Sequence, residues 1–292
     1  MNIEQLNSKS SKVTIEQPVI YNEKLKKKSN EIRNKILDMS ISSGGHIASS
    51  LSCVDILVSL YYGKVLRYNP KKPEWNERDR FILSKGHAGM ALYAILADLG
   101  YFPYEWINKF YRQGECHLGG HPDFSIPGVE VTSGSLGHGL GIGAGISLSA
   151  KMNGKKHIQY VLMGDTECTE GVIWETALFA SKHALENLIA IIDRNHISAL
   201  EHTEDFTNLE PLSEKWKAFG WDAVVVNGHN CMDLIKVLNK EINKKRNKPL
   251  VIIAETIKGK GISYMENDPR WHVLSVNNKK DIIQAKKELK WK

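Results

Sequence analysis

Cysteine is scarce in this chain of 292 residues, and none of its four cysteines belongs to a C-x-x-C pair. They are Cys53, Cys116, Cys168 and Cys231. This wide spacing argues against a zinc site and a disulfide framework, so we expect reduced thiols. Long apolar runs are also lacking: none approaches the ~18 residues of a membrane-spanning helix, and the N-terminus has no apolar signal-peptide core. The sequence therefore predicts a cytoplasmic protein without a membrane segment.

Positive charge is in excess, but it does not form one basic stripe. The formal net charge is +6, and much of it comes from lysine clusters at 24–28 and 286–292. A nucleic-acid-binding role requires a basic face with groove-reading or aromatic elements, so we expect no nucleic-acid partner. The hydrophobic content of 42% suits a full core. We predict a polar arm over residues 1–20 and one domain over 21–292.

Apolar runs alternate with helical periodicity along most of the chain. Strands are predicted at 80–84, 157–163, 187–192, 221–226 and 249–255. Helices are predicted at 21–43, 51–62, 90–99, 137–149, 170–186 and 232–245, with Trp174 and Phe179 assigned to the core. Continuous apolar strands that alternate with helices indicate a parallel sheet covered on both sides. The expected fold is α/β, a doubly wound parallel sheet with helices on both faces.

Small residues recur every four positions in one predicted helix, at Gly137, Gly141, Gly145 and Ser149. Residues at this spacing share one helix face, so the face would lack side chains. A groove of this kind lets another backbone or a ligand approach closely.

Oxygen-bearing side chains follow two of the predicted strands. Asp165 and Asn195 each lie at such a strand end, about one βαβ unit apart. Ligands of open parallel sheets bind at this edge, and Mg²⁺ takes a few protein oxygens together with phosphates and water. Asp165, Asn195 and the Ile197 carbonyl would form a suitable half-shell, beside a helix N-terminus near Thr169 that favours an anion. The alternative is that both side chains only cap turns.

Five stretches look like successive motifs of the transketolase family, in the family's order. They are SGGHIASSLSCVDIL, RDRFILSKGHAGMALYAIL, GGHPDFSIPGVEVTSGSLGHGLGIGAGISLSAK, EGVIWETALFASKHALENLIAIIDRNHIS and ETIKGKGISYMENDPRWH. The resemblance covers residues from about 25 to 272. It includes the thiamine-diphosphate motif, which opens with Gly-Asp-Gly in the family. The sequence departs from that motif at Thr166, whose side chain would crowd the diphosphate.

The resemblance implies two cofactors, thiamine diphosphate and Mg²⁺, and a set of residues that contact them. The implied cofactor-binding residues are His87, Gly134, Leu136, Gly164, Asp165, Thr166, Asn195 and His272. The implied metal ligands are Asp165, Asn195 and Ile197.

The resemblance also implies an active-site set of three histidines, His46, His121 and His272. They match histidines that contact sugar hydroxyls and assist proton transfer. Glu170 matches a glutamate that links two active sites. Lys258 either adds charge near the diphosphate or is a solvated loop residue.

The family carries the glutamate that activates thiamine diphosphate in a second domain, and no residue here matches its motif. We therefore expect the N-terminal subunit of a split transketolase, with a C-terminal partner subunit in an assembly of two copies of each chain. The expected reaction transfers a two-carbon ketol unit from a ketose to an aldose, and we expect the ketose to be phosphorylated. The alternatives are another thiamine-diphosphate reaction, such as decarboxylative condensation, and a non-catalytic regulatory or scaffold subunit.

Overall fold

A five-stranded parallel sheet forms the centre of the fold. The computed structural model describes residues 18–112, 114 and 117–290. The strands are β1 (Arg80–Leu83), β2 (Gln159–Gly164), β3 (Leu188–Arg194), β4 (Asp222–Asn227) and β5 (Leu250–Glu255). They lie in the order β1-β2-β3-β5-β4, and every neighbouring pair is parallel. The confirmed α/β class follows from the apolar runs, since β2 and β3 are buried along their whole length.

Helices cover both faces of the sheet. They are α1 (Pro18–Ser43), α2 (Ile47–Ser52), α3 (Val54–Tyr61), α4 (Gly89–Asp98), α5 (Glu105–Asn108), α6 (His138–Met152), α7 (Gly171–Lys182), α8 (Thr203–Phe206), α9 (Leu212–Ala218), α10 (Cys231–Ile242) and α11 (Lys279–Glu288). Successive strand residues point to opposite faces. Thus Tyr160 packs in the core under α1, α3, α4 and α10, whereas Val161 packs in the core under α6, α7 and α9.

Every predicted strand and helix has an observed counterpart, and α5, α8, α9 and α11 are additional to the prediction. Three predictions also differ from the structure in detail. The helix predicted over 51–62 is two helices, α2 and α3, which meet at Cys53. The predicted arm falls outside the described residues except at 18–20, which already belong to α1. The core assignment of Phe179 is wrong, because its side chain lies on the outer face of α7 and is 40% exposed.

The cysteines and the helix hydropathy agree with the expectations within the described residues. Cys53, Cys168 and Cys231 are buried free thiols, and Cys116 lies outside the described part. Burial raises the pKa of the Cys53 thiol to about 12, so it stays protonated near neutral pH. Across the described ranges, no helix combines the length and the apolar character needed to cross a membrane.

The small residues of α6 lie in two different environments. Gly137 precedes the helix as its N-cap with a φ of 85°, a conformation that glycine adopts readily. A Cβ at Gly143 would lie 2.6 Å from Val161 Cγ2, so α6 rests directly on β2. A Cβ at Gly145 would meet no described atom within 4 Å. The predicted groove is therefore open along Gly145 and Ser149, which are both exposed.

Gly143→Ala and Gly145→Ala form a matched pair that tests this packing. Both changes add the same helix propensity, about 1 kcal/mol. We expect Gly145→Ala to raise the free energy of unfolding of the isolated chain by about that amount. Gly143→Ala should be less stable than Gly145→Ala by about 1–3 kcal/mol, because the added methyl overpacks the contact with β2. Chemical denaturation measures both values, and equal stabilities would contradict the packing of α6 on β2.

Candidate functional site

The carboxyl ends of β1, β2, β3 and β5 open onto one polar cavity of about 260 Å³. Ten of the predicted site residues line it: His46, His87, His121, Gly134, Leu136, Gly164, Asp165, Thr166, Ile197 and His272. Ser49, Glu167, Ser198, Ala199 and Lys258 complete the lining. Two predicted residues, Asn195 and Glu170, do not reach it.

Four histidines form one wall of the cavity. His46 lies at the centre, with its ring centroid 5.4 Å from that of His87, 6.1 Å from that of His121 and 5.1 Å from that of His272. Burial, the His121 ring and Lys258 together lower the pKa of His46 to about 4. Burial and Lys258 lower the pKa of His272 to about 3. These two imidazoles are therefore neutral near pH 7, so each has one donor and one acceptor nitrogen.

Lys258 lies beneath the histidines and is buried, so the solvated-loop alternative is wrong. Its ammonium donates to the carbonyl of Ile197 at 3.1 Å and contacts His272 Nδ1 at 3.0 Å. Burial lowers the pKa of Lys258 to about 8, helped by the nearby cation of Lys85. This ammonium supplies a partly desolvated positive charge at the cavity floor.

Asp165 begins the turn that follows β2 and is held by four donors. Its Oδ1 accepts the N–H of Thr166 at 2.7 Å, with the Thr166 hydroxyl at 3.4 Å. Its Oδ2 accepts the N–H of His196 at 2.7 Å and Arg194 Nη1 at 3.1 Å. Burial raises the pKa of this carboxyl, and Arg194 opposes that effect.

The φ of Thr166 is not positive, so a threonine takes up this backbone conformation without the strain that would favour glycine. Its amide donates to the Asp165 carboxylate at 2.7 Å. The side chain of Thr166 borders the cavity and is half-buried.

Asn195 is buried behind the cavity lining, next to the end of β3. Its Oδ1 accepts the Ile197 N–H at 3.2 Å, and its Nδ2 donates to Asp193 at 3.2 Å. Glu170 lies on the exposed surface as the N-cap residue of α7. Its Cβ would be 3.0 Å from a Cβ at Gly137, so the starts of α6 and α7 are close.

Two buried carboxylates do not stand out in the sequence. Glu167 accepts the N–H of Gly137 at 2.7 Å and of Gly164 at 3.0 Å, and it also accepts the Ser84 hydroxyl. Burial raises the pKa of Glu167, and these donors oppose the shift. Two of its partners, Ser84 and Gly137, lie far from Glu167 in the chain, so no local pattern reveals it.

Asp193 is the second such carboxylate and lies beneath the cavity. It forms a fully buried ion pair with Lys85, which follows β1. Ser52 of α2 donates to it at 2.6 Å, and the Thr256 hydroxyl after β5 donates to it as well. Burial raises its pKa, but Lys85, Ser52 and Thr256 together outweigh burial, so the net shift is downward.

The donor types at this edge fit a magnesium ion with a diphosphate. Asp165, Asn195 and the Ile197 carbonyl offer the hard oxygens that Mg²⁺ prefers. The described ranges hold no cluster of three His, Cys, Asp or Glu side chains suited to a metal ion. The buried hydroxyl of Ser133, beside Gly134, has no hydrogen-bond partner among the described residues.

The geometry is that of α/β proteins that bind a ligand beyond the carboxyl ends of a parallel sheet. Residues 25–292 match the family described as transketolase, thiamine diphosphate binding domain. The chain belongs to the transketolase family, as its sequence predicts.

Relatives of two kinds show the extent of the similarity. One is a subunit of the apulose-4-phosphate transketolase of Phocaeicola vulgatus, which is 40% identical over 86% of this chain and 88% of its own length. A 6-deoxy-6-sulfo-D-fructose transketolase subunit of Clostridium sp. is 38% identical over 86% of this chain and 91% of its own length. The crystal structure of transketolase from Campylobacter jejuni has a TM-score of 0.82 and 31% identity over 89% of this chain. The chain spans 42% of that protein.

Thr166→Gly tests whether the threonine side chain obstructs the cavity. We expect thiamine diphosphate to bind at least as tightly as to the parent, because the change removes side-chain atoms from the cavity wall. Isothermal titration measures the affinity. Thr169→Gly is the control, since Thr169 is exposed in the same turn and bonds only the Thr166 carbonyl, at 2.8 Å. A large loss in Thr166→Gly alone would mean that the hydroxyl contributes to binding.

Proposed function

We propose that the chain is the N-terminal subunit of a split transketolase, which transfers a two-carbon ketol unit from a ketose to an aldose with thiamine diphosphate and Mg²⁺. The observation that carries the proposal is the single cavity in which His46, His87, His121 and His272 face Asp165 and Thr166. Family membership supports the reaction class. The proposal keeps the cytoplasmic location that the sequence predicts.

The histidine wall supplies the proton chemistry of a sugar substrate. Bound thiamine diphosphate supplies the electron sink for carbon–carbon cleavage. His46 and His272, neutral near pH 7, donate to and accept from sugar hydroxyl and carbonyl oxygens. Their ring centroids are 5.1 Å apart, so the two imidazoles could bind neighbouring oxygens of one small sugar. This wall favours a sugar reaction over decarboxylative condensation of a keto acid.

Asp165, Asn195 and the carbonyl of Ile197 would hold the magnesium ion. Their support is position, since all three follow β2 or β3 at the ligand-binding edge of the sheet. The Ile197 carbonyl accepts one hydrogen bond from the Lys258 ammonium, at 3.1 Å, and its second lone pair would be the one that meets the metal. His87 and the amides of Thr166 and Glu167 would meet the diphosphate.

The substrates we propose are small phosphorylated ketoses. Two relatives carry apulose 4-phosphate and 6-deoxy-6-sulfo-D-fructose in their names, which both denote small sugars with an anionic end. These names support an anionic sugar as the substrate class, without fixing which sugar.

The proposed partner is a C-terminal transketolase subunit, with two copies of each chain in the assembly. Two relatives are themselves named as one subunit of a transketolase, which supports a second, different chain. The surface of α6 and α7 supports an extensive interface: Ile142, Leu178 and Phe179 are 40%, 59% and 40% exposed. The open face at Gly145 and the exposed Glu170 belong to the same two helices or their ends.

Asp165→Asn tests the metal shell. We expect Mg²⁺-dependent binding of thiamine diphosphate to be lost, since Asp165 is the only carboxylate in the proposed shell, while the similar shape of asparagine preserves the fold. Titration calorimetry measures binding, and thermal unfolding checks the fold. Asp205→Asn is the matched control, because it removes the same charge from an exposed side chain. Unchanged affinity in Asp165→Asn would contradict the metal assignment.

The purified chain alone should show no ketol transfer, and activity should appear when the partner subunit is added. The reason is that the chain offers no match to the family's cofactor-activating glutamate. The measurement is turnover of a phosphorylated ketose, with mass spectrometry to exclude co-purified partner. Turnover by the chain alone would contradict the split-enzyme proposal. An assembly that binds cofactor but turns over no ketose would favour the scaffold alternative or another donor class.

A further inference from the structure

A fully buried arginine joins Asp165 to a surface loop. Arg194 ends β3, and its side chain is 0% exposed. Its Nη1 donates to Asp165 Oδ2 at 3.1 Å and to Thr203 Oγ1 at 2.6 Å. Its Nη2 donates to Glu204 Oε1 at 2.7 Å and to Glu210 Oε1 at 3.0 Å, and its Nε donates to Glu210 Oε1 at 3.2 Å. All five N–H donors of the guanidinium are therefore used.

This arrangement determines which oxygen of Asp165 is left for a ligand. Each carboxylate oxygen has about two acceptor positions. Oδ2 has both positions filled, by Arg194 at 3.1 Å and by the N–H of His196 at 2.7 Å. Oδ1 has one short bond from the Thr166 N–H at 2.7 Å and one long contact with the Thr166 hydroxyl at 3.4 Å. Oδ1 thus retains acceptor capacity, and the plane of the carboxylate is fixed.

The groups that surround Arg194 form a cluster with a net negative charge. One guanidinium is shared by three carboxylates, of which Glu204 and Glu210 are 40% and 53% exposed and Asp165 is 2% exposed. With three carboxylates and one guanidinium, the cluster has a formal charge of −2, so Arg194 can orient Asp165 without cancelling the negative charge that a metal ion requires. A lysine could not do the same, since it lacks the planar fork that bonds several acceptors in fixed directions.

We propose that Arg194 is a positioning residue for the metal site: it orients Asp165 so that Oδ1 faces the magnesium ion. The inference rests on the proposed function, because it requires Asp165 to bind Mg²⁺. Partners of this kind commonly determine metal affinity, since they fix the orientation of the ligand. Arg194 also ties that orientation to the loop that contains Thr203, Glu204 and Glu210.

Arg194→Lys keeps the positive charge and removes the planar, forked guanidinium. It therefore tests the orientation of Asp165 separately from the charge beside it. The test uses the full chain with its partner subunit, with intrinsic fluorescence as the readout. Mg²⁺ is titrated at a fixed concentration of thiamine diphosphate, and thiamine diphosphate is titrated at saturating Mg²⁺. We expect the apparent Kd for Mg²⁺ to rise roughly 10–100-fold. The affinity for thiamine diphosphate at saturating Mg²⁺ should return to the parent value, which a general loss of structure would not allow.

Arg33→Lys is the matched control. Arg33 also forms a buried two-bond ion pair, with Asp55 at 2.6 and 3.2 Å, and it does not line the cavity. The same substitution there should lower thermal stability and leave both affinities unchanged.

A second variant pair tests the proposal even if Arg194→Lys does not fold. The double variant Glu204→Gln/Glu210→Gln removes two exposed carboxylates that accept hydrogen bonds from Arg194. It therefore weakens the restraint on the orientation of the guanidinium. We expect its apparent Kd for Mg²⁺ to rise severalfold. Glu201→Gln/Asp205→Asn removes the same charge from exposed side chains of the same loop and should leave that Kd unchanged.

Three results would overturn the inference. The first is an unchanged Kd for Mg²⁺ in both Arg194→Lys and the Glu204/Glu210 double variant. The second is an equal loss of Mg²⁺ and cofactor affinity that excess Mg²⁺ does not restore. The third is a parent assembly that shows no Mg²⁺-dependent binding, which would overturn the proposed function as well.

Discussion

The buried carboxylate of Asp193 is the interaction on which the cavity depends. It lies at the end of β3 and accepts hydrogen bonds from Lys85 after β1, Ser52 in α2 and Thr256 after β5. A buried charge that loses its partner typically costs about 3–5 kcal/mol, so these segments are held against it. His87 follows Lys85 by two residues and Lys258 follows Thr256 by two. Through its bonds to Lys85 and Thr256, Asp193 therefore fixes the start of the two segments that carry His87 and Lys258 into the cavity lining.

The same arrangement accounts for the neutral histidines above it. Lys85 keeps its positive charge because Asp193 and other nearby groups together outweigh burial and raise its pKa. Lys258 has no carboxylate within hydrogen-bonding distance among the described residues and instead bonds carbonyls and His272, so burial lowers its pKa to about 8. Burial, together with these two cations, holds the pKa of His46 and His272 far below the usual value. A wall of neutral imidazoles over positive charge suits an anionic cofactor below and sugar hydroxyls above.

The sequence predicts the parts of this structure that follow from local pattern. Apolar runs place the strands within a few residues, and strand ends place Asp165 and Ile197 at the cavity. It does not predict which side chains meet across the sheet. In the sequence, Asp193 and Arg194 look like ordinary residues at a strand end, because their partners lie up to 141 residues away in the chain. The core prediction fails at Phe179 because an apolar residue on a helix signals burial, and an exposed interface surface carries the same signal. Lys258 is ambiguous in the sequence because a loop lysine is usually solvated.

Asp193 and Arg194 are consecutive strand residues, so their side chains point to opposite faces of the sheet. The Asp193 side chain lies on the face of the sheet near α2, where it pairs with Lys85. The Arg194 side chain lies on the opposite face, near α8, where it bonds Asp165. Asn195 comes next and bonds back to Asp193. Three successive residues thus anchor the loops, orient one proposed metal ligand and supply another. A change at Arg194 should consequently reach the metal site through Asp165 while the Asp193 ion pair, on the other face, keeps the histidine wall in place.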